Sequence, residues 1–204
     1  MALAFALALA TPAAGGASPA SPAAAISGPV ATLAAWVIAT KDSHGRPFAI
    51  VDKVAAQVLV FDADGTPRAR SAALLGLARG DRSVPGIGDR PLATITPAER
   101  TTPAGRFDAE LGTNTAGHKI LWVHYADAIS LHPVVAGTAR DRRRERLASP
   151  TAADNRISFG CINVPPEFFA DSVEPLFRSD GGVVYILPEQ LSLAEVFGPG
   201  VAGR

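Results

Sequence analysis

A thiol is the strongest nucleophile a side chain can offer, and this 204-residue chain has one, Cys161. It stands in the block Arg156-Ile157-Ser158-Phe159-Gly160-Cys161-Ile162-Asn163-Val164-Pro165-Pro166. The reactive form is the thiolate, so a cysteine that does chemistry needs a base and groups that tolerate negative charge. His132, 29 residues upstream at the end of an apolar alternating run, is the base that the order of the chain supplies. The block reads as a strand-to-loop junction ahead of a helix opened by prolines, so backbone N–H groups and the helix N-terminus are expected to favour the thiolate. A lone cysteine is more often a small buried hydrophobe, and its neighbours have to decide.

The elements that must bring Cys161 and His132 together are short and β-rich. Residues 48–51 and 57–61 are strand-like runs, and Asp62-Ala63-Asp64-Gly65 is turn chemistry. Residues 68–77 return as a third strand ending at Gly76, followed by a long loop over 78–102 rich in Gly, Pro and Asp, of the kind that serves as a lid. An extended run follows to Leu111. Residues 119–124 and 127–132 form two further strands, the second ending at His132. Residues 138–147 predict a short helix with a dense basic face, open between a solvated surface and a binding surface for anionic groups. Residues 166–178 predict a helix with Phe168, Phe169, Val173, Leu176 and Phe177 inward, and residues 183–187 a strand before a short closing helix. The fold class is mostly β (α+β): a mixed sandwich or barrel-like sheet with the helix after the cysteine packed on it.

Composition narrows the function. Lysine plus arginine equals aspartate plus glutamate, 19 of each, so no global field points to nucleic acid or an anionic membrane. The other histidines, His44, His118 and His124, read as surface turn, loop, and core or rim of a strand. Neither a zinc spacing nor a Gly-rich nucleotide loop occurs, and neither metal nor cofactor is expected. Residues 1–40 carry no charged side chain, and 3–10 form an apolar run of signal-peptide length closed by Ala8-Leu9-Ala10. Residues 1–28 are therefore expected to be an export signal and an Ala/Pro-rich tether, with one domain over 29–204; residues 31–40 dock as its first element, helix or strand.

The order histidine, then Ser158-x-Gly160-Cys161-Ile162-Asn163, resembles the signature of the L,D-transpeptidase family, cysteine-dependent enzymes that cross-link peptidoglycan. Thr102-Pro103-Ala104-Gly105-Arg106-Phe107 is similar to a second element of that family, and the resemblance covers residues 47–188. Phe159 stands where the family has histidine, and Pro133 where it has glycine or serine. The resemblance implies an exported enzyme of the periplasm or cell envelope, without metal or cofactor, acting on peptidoglycan stem peptides. It implies that the Cys161 thiolate attacks the stem-peptide carbonyl and that His132 moves the proton. Gly160 and Cys161 N–H groups are then the expected oxyanion donors, with Ser158, Asn163 and Phe159 around the substrate. An L,D-carboxypeptidase, or a wall-binding homologue without chemistry, are the alternatives.

Overall fold

The computed structural model describes residues 26–202; the expected export signal and most of the tether lie outside them. Helix α1, Gly28–Thr40, opens the described chain. Pro29 suits its first turn, and Ser27 caps it by accepting the Val30 N–H (3.4 Å) while donating to Asp52 Oδ2 (2.7 Å). The element expected over 31–40 is thus a helix, and its anchoring begins at Ser27, inside the segment assigned to the tether.

Eight strands form one mixed sheet in the order β3-β2-β1-β10-β5-β6-β7-β9. They are β1 Phe48–Asp52, β2 Gln57–Phe61, β3 Pro67–Ala72, β5 Gly105–Thr113, β6 Lys119–His124, β7 Ile129–Pro133, β9 Ile162–Val164 and β10 Gly182–Ile186. Two short strands, β4 Leu75–Gly76 and β8 Arg156–Ser158, pair in parallel beside it. The β1–β10 and β7–β9 pairs are parallel and the other ladders of the large sheet antiparallel. The expected mostly-β class with helices against the sheet is what the chain adopts.

Strand β1 is buried at all five positions because both of its faces are covered. Phe48 and Ile50 face α1 with Leu59, Phe61, Val183 and Tyr185. Ala49 and Val51 face the opposite core with Val58, Val60, Phe168, Phe169, Val173 and Phe177. A strand covered on both sides needs a continuous apolar run, which is how 48–51 reads in the sequence. Those phenylalanines come from one helical segment made of α3 Pro166–Phe168, a π-helical turn Phe169–Val173, and α4 Glu174–Leu176. Pro175 lacks an N–H, and the wider turn before it accommodates the gap in the hydrogen-bond ladder.

Strand β5 is shared. Residues 105–109 pair with β10 and residues 110–113 with β6, so one strand carries the sheet from its α1-covered half to the half holding β7 and β9. Two expectations change. The strand expected over 68–77 is broken after Ala72, because Leu74 leaves the β2 edge to exchange backbone bonds with Asn163 (2.8 and 2.9 Å). The helix expected over 138–147 is broken at Arg142, which takes a left-handed conformation (φ 48°) between a 3-10 turn, Ala139–Asp141, and α2, Arg143–Ala148. The closing helix is α5, Leu193–Phe197, capped by Ser192 and Glu195.

Candidate active site

Cys161 lies between β8 and β9, in a loop held from two sides. Ser158 Oγ donates to the Cys161 carbonyl (2.6 Å) and accepts the Gly160 N–H (3.0 Å). Thr102 Oγ1 donates to the Gly160 carbonyl (2.8 Å) and accepts the Gly76 N–H (2.9 Å). Gly160 has φ 130°, and a Cβ there would lie 2.7 Å from both the Thr101 carbonyl oxygen and Ile129 Cδ1. Glycine is therefore dictated by backbone conformation and by close approach at once.

His132 comes from β7, the neighbour of β9, and pairs in register with Asn163. Its Nδ1 is 2.8 Å from the Pro133 carbonyl, which has no proton to give, so Nδ1 carries the hydrogen and Nε2 is left for chemistry. Proline at 133 thus contributes through its carbonyl. Asn163 is buried, with Nδ2 3.2 Å from His132 Nε2 and 3.4 Å from the Cys161 carbonyl. Its Oδ1 accepts from Arg143 Nη1 (2.9 Å), which fixes which end of the amide faces the imidazole.

The thiol and the imidazole act on each other's protonation, and the thiol also lies 3.5 Å from the Ala128 carbonyl. Burial pushes the Cys161 thiol up, but the hydrogen bond and charge of His132, with the Ser130 backbone and hydroxyl, leave it below an ordinary thiol. Burial pushes His132 down, but its bond to Cys161, the thiolate charge and the Pro133 carbonyl leave it raised, against an opposing pull from Arg143. A paired thiolate and imidazolium is what these shifts favour.

Five of the expected features are engaged differently. Gly160 donates its N–H to Ser158 and leaves the set of oxyanion donors, while Ser158 is a buried brace of the loop. The helix N-terminus expected beside the thiol is displaced, because β9 intervenes and three extended residues span about 10 Å. Asn163 serves the base. Phe159, expected around the substrate, lies under the Arg100 guanidinium, 3.9 Å from ring centroid to Cζ, so the position where the family has histidine carries a cation on its face. Arg100 belongs to the long loop over 78–102, where its Nε and Nη2 hold the Ile95 carbonyl (3.3 and 3.1 Å).

Sequence reading missed Ser130, whose Oγ is 3.6 Å from Cys161 Sγ. It stands two residues before His132 on a strand, hence on the same face, a signal that was available. It also missed Arg143, within the basic segment. Arg146 of that segment turns inward as well, onto the Asp141 and Asp154 carbonyls (2.8 and 2.7 Å), while Arg140, Arg142 and Arg144 are exposed.

A concavity of about 860 Å³ runs past Phe107, Trp122, His124 and Tyr125 and is lined by neither Cys161 nor His132. Its His124 is engaged with Asp127 (2.9 Å), and no thiol lines it. A second groove, of about 650 Å³, is lined by His132, Pro133, Val134, Lys119 and Phe169. Among the described residues no three His, Cys, Asp or Glu side chains converge as a metal site, and no helix is long and apolar enough to cross a membrane.

No family model and no curated protein matches the chain. Solved structures do. The helical cell shape determining protein Pgp2 from Campylobacter jejuni is 14% identical over 72% of this chain and 49% of its own, with a TM-score of 0.47. An L,D-transpeptidase from Xylanimonas cellulosilytica is 17% identical, covering 70% of this chain and 60% of its own at a TM-score of 0.39. An L,D-transpeptidase from Mycobacterium smegmatis is 15% identical, covering 70% and 58% at 0.40. The chain thus spans between 49% and 60% of the length of these three structures, and it is similar to each of them across about 70% of its own residues.

Proposed function

We propose that this chain is an exported cysteine acyltransferase of the L,D-transpeptidase type, acting on peptidoglycan stem peptides through a thioacyl intermediate. The observation that carries the reading is the placement of Cys161 and His132 on either side of Asn163, whose Nδ2 lies 3.2 Å from His132 Nε2 and 3.4 Å from the Cys161 carbonyl, with His132 Nδ1 anchored on Pro133 and the thiol shifted below its ordinary pKa. The Cys161 Sγ attacks the stem-peptide carbonyl carbon, forming a C–S bond. The tetrahedral oxyanion takes the Cys161 N–H, and such donors typically supply about 2.7–4 kcal/mol. The C–N bond then breaks, and the His132 imidazolium gives its proton to the departing amine of the terminal D-amino acid. An acceptor amine next attacks the thioester; its proton returns to His132 and then to sulfur, leaving a cross-link and the free thiol. Water in place of the amine gives a shortened peptide, the carboxypeptidase outcome.

Mass spectrometry of the full chain after incubation with a stem tetrapeptide or a carbapenem tests this. The expected result is a covalent adduct on Cys161, absent in Cys161→Ala. If iodoacetamide labels Cys161 while neither acyl donor does, the thiol is accessible and the catalytic reading fails in favour of a wall-binding protein.

A further inference from the structure

Two neighbours pull His132 Nε2 in opposite directions. Cys161 offers a proton and then a negative charge, which favours imidazolium. Asn163 presents an N–H, which favours a bare lone pair on Nε2 and is repelled by a proton there. An amide could relieve the conflict by rotating half a turn to present its oxygen, but Arg143 Nη1 holds that oxygen at 2.9 Å.

The segment is built to deliver Arg143. Thr138 and Asp141 close a capping box, Arg142 reverses the chain at φ 48°, and Arg143 follows with Nε 3.5 Å from Asp141 Oδ2. Gly137 makes room, since a Cβ there would lie 2.8 Å from Arg143 Nε. The Arg143 side chain keeps 15% of its exposure, whereas its neighbour Arg144 is an exposed residue. A basic run on a solvated helix needs none of these devices.

We propose that Arg143 is a positioning residue for the Cys161–His132 pair: by holding Asn163 Oδ1 it turns the Asn163 N–H onto His132 Nε2 and destabilises the imidazolium. This rests on the function proposed above for its catalytic consequence, though not for its geometry. A destabilised imidazolium is a stronger acid, so it gives its proton to the departing amine more readily and drives C–N cleavage forward. The other titratable or charged groups near the imidazole are Cys161 and, around the groove that His132 lines, His118, Lys119 and Glu174. Arg143 is the group that acts on Nε2 through an oriented amide.

The test compares Arg143→Gln with Arg144→Gln in the full chain; both lose one positive charge, and the second is exposed. His132 is followed by NMR titration, and Cys161 by iodoacetamide alkylation at pH 6. In Arg143→Gln the His132 titration should move upward, and alkylation should quicken roughly threefold as the ion pair gains population. Acylation by stem peptide should slow about tenfold in kcat with KM little changed, because proton delivery is what has been lost. Opposite signs for alkylation and acylation are the signature, since merely structural damage would slow both. Unchanged titration and alkylation, or equal effects in Arg144→Gln, would overturn the proposal. If Arg143→Gln fails to fold, Arg143→Lys keeps the charge and loses the planar fork; an unchanged His132 tautomer ratio there would overturn it equally. If acylation is absent from wild type, the function fails, and titration and alkylation still decide the role of Arg143.

Discussion

Two buried polar clusters lie on either side of Thr102, and they are built on opposite principles. In the first, Lys53 Nζ meets Asp81 Oδ1 (2.6 Å), the Gly80 and Thr102 carbonyls (2.5 and 3.0 Å) and, farther off, Glu189 (3.8 Å). Asp81 also accepts the N–H groups of Glu189, Gln190 and Leu191 (2.7–2.8 Å), and Arg156 closes the set onto Glu189 (2.7 Å). Every charge has an opposite partner and a backbone group to complete it. In the second, Cys161 and Asn163 make incompatible demands on one nitrogen. In the first cluster each charge meets a complementary group, while in the second two neighbours make opposed demands on His132 Nε2.

Breaking the saturated cluster should cost the most stability. Lys53→Met leaves Asp81 and Glu189 buried with less compensation, and we expect a loss on the order of 3–5 kcal/mol in denaturant unfolding. Cys161→Ala or His132→Ala should do the reverse, abolishing acylation while leaving the unfolding midpoint within error. Their combination should be scarcely worse than either alone, because the two act as a unit. Acylation above about a tenth of wild type in Cys161→Ala would sink the mechanism, as Cys161 is the one thiol in the sequence.

Thr102→Val probes the link between the clusters. It keeps the carbonyl that receives Lys53 but removes the hydroxyl that joins Gly76 to Gly160. A loss of about 1–3 kcal/mol is expected for the two stranded groups, with slower acylation as the nucleophile loop loosens. Full activity with full stability would show the clusters to be independent.

Acid gives a gentler test. Burial raises the Asp81 carboxyl, yet Lys53 and three backbone N–H groups bring it down to about 2. A carboxylate lowered by folding gives stability that is complete above its unfolded pKa, about 3.9, and is lost as pH falls through the folded value. Wild-type stability should therefore decline between roughly pH 4 and pH 2, and that slope should be shallower in Asp81→Asn. The smallest effect is expected at the helix cap. A chain beginning at Ile26 should melt like the full chain, while Ser27→Ala should cost about 1 kcal/mol by differential scanning calorimetry.

The two clusters also differ in how far they could be read in advance. Cys161, His132 and the strand carrying His132 were legible because each follows from local pattern: a thiol in a Gly-containing loop, and alternation ending on a histidine. The β2–β3 hairpin was legible from Asp62-Ala63-Asp64-Gly65 after the apolar run 57–61. Arg143 was not, because its direction depends on a left-handed residue at 142 and a missing side chain at 137, neither of which leaves a periodicity. Thr102 was visible as part of a turn, but its hydroxyl matters through Gly76 and Gly160, 26 and 58 residues away in sequence. Nothing local marks Lys53, Asp81, Arg156 and Glu189 as partners, since burial of an ion cluster is a tertiary fact.

The sharing of β5 between two ladders bears on which parts of the molecule open together. Because residues 105–109 and 110–113 of one strand serve different partners, detaching that strand from either side strips hydrogen bonds from both. Amides of β10 and β6 should then exchange with deuterium at a common opening free energy, as a single cooperative unit. Strand β9 is three residues long at the far end of the order, where β7 and the Leu74 bridge hold it. Its amides should exchange sooner, in an opening that parts Cys161 from His132 while the rest of the sheet stays closed. Cys161, the residue directly before β9, would then sit beside a segment that opens locally while the long ladders of the frame stay closed.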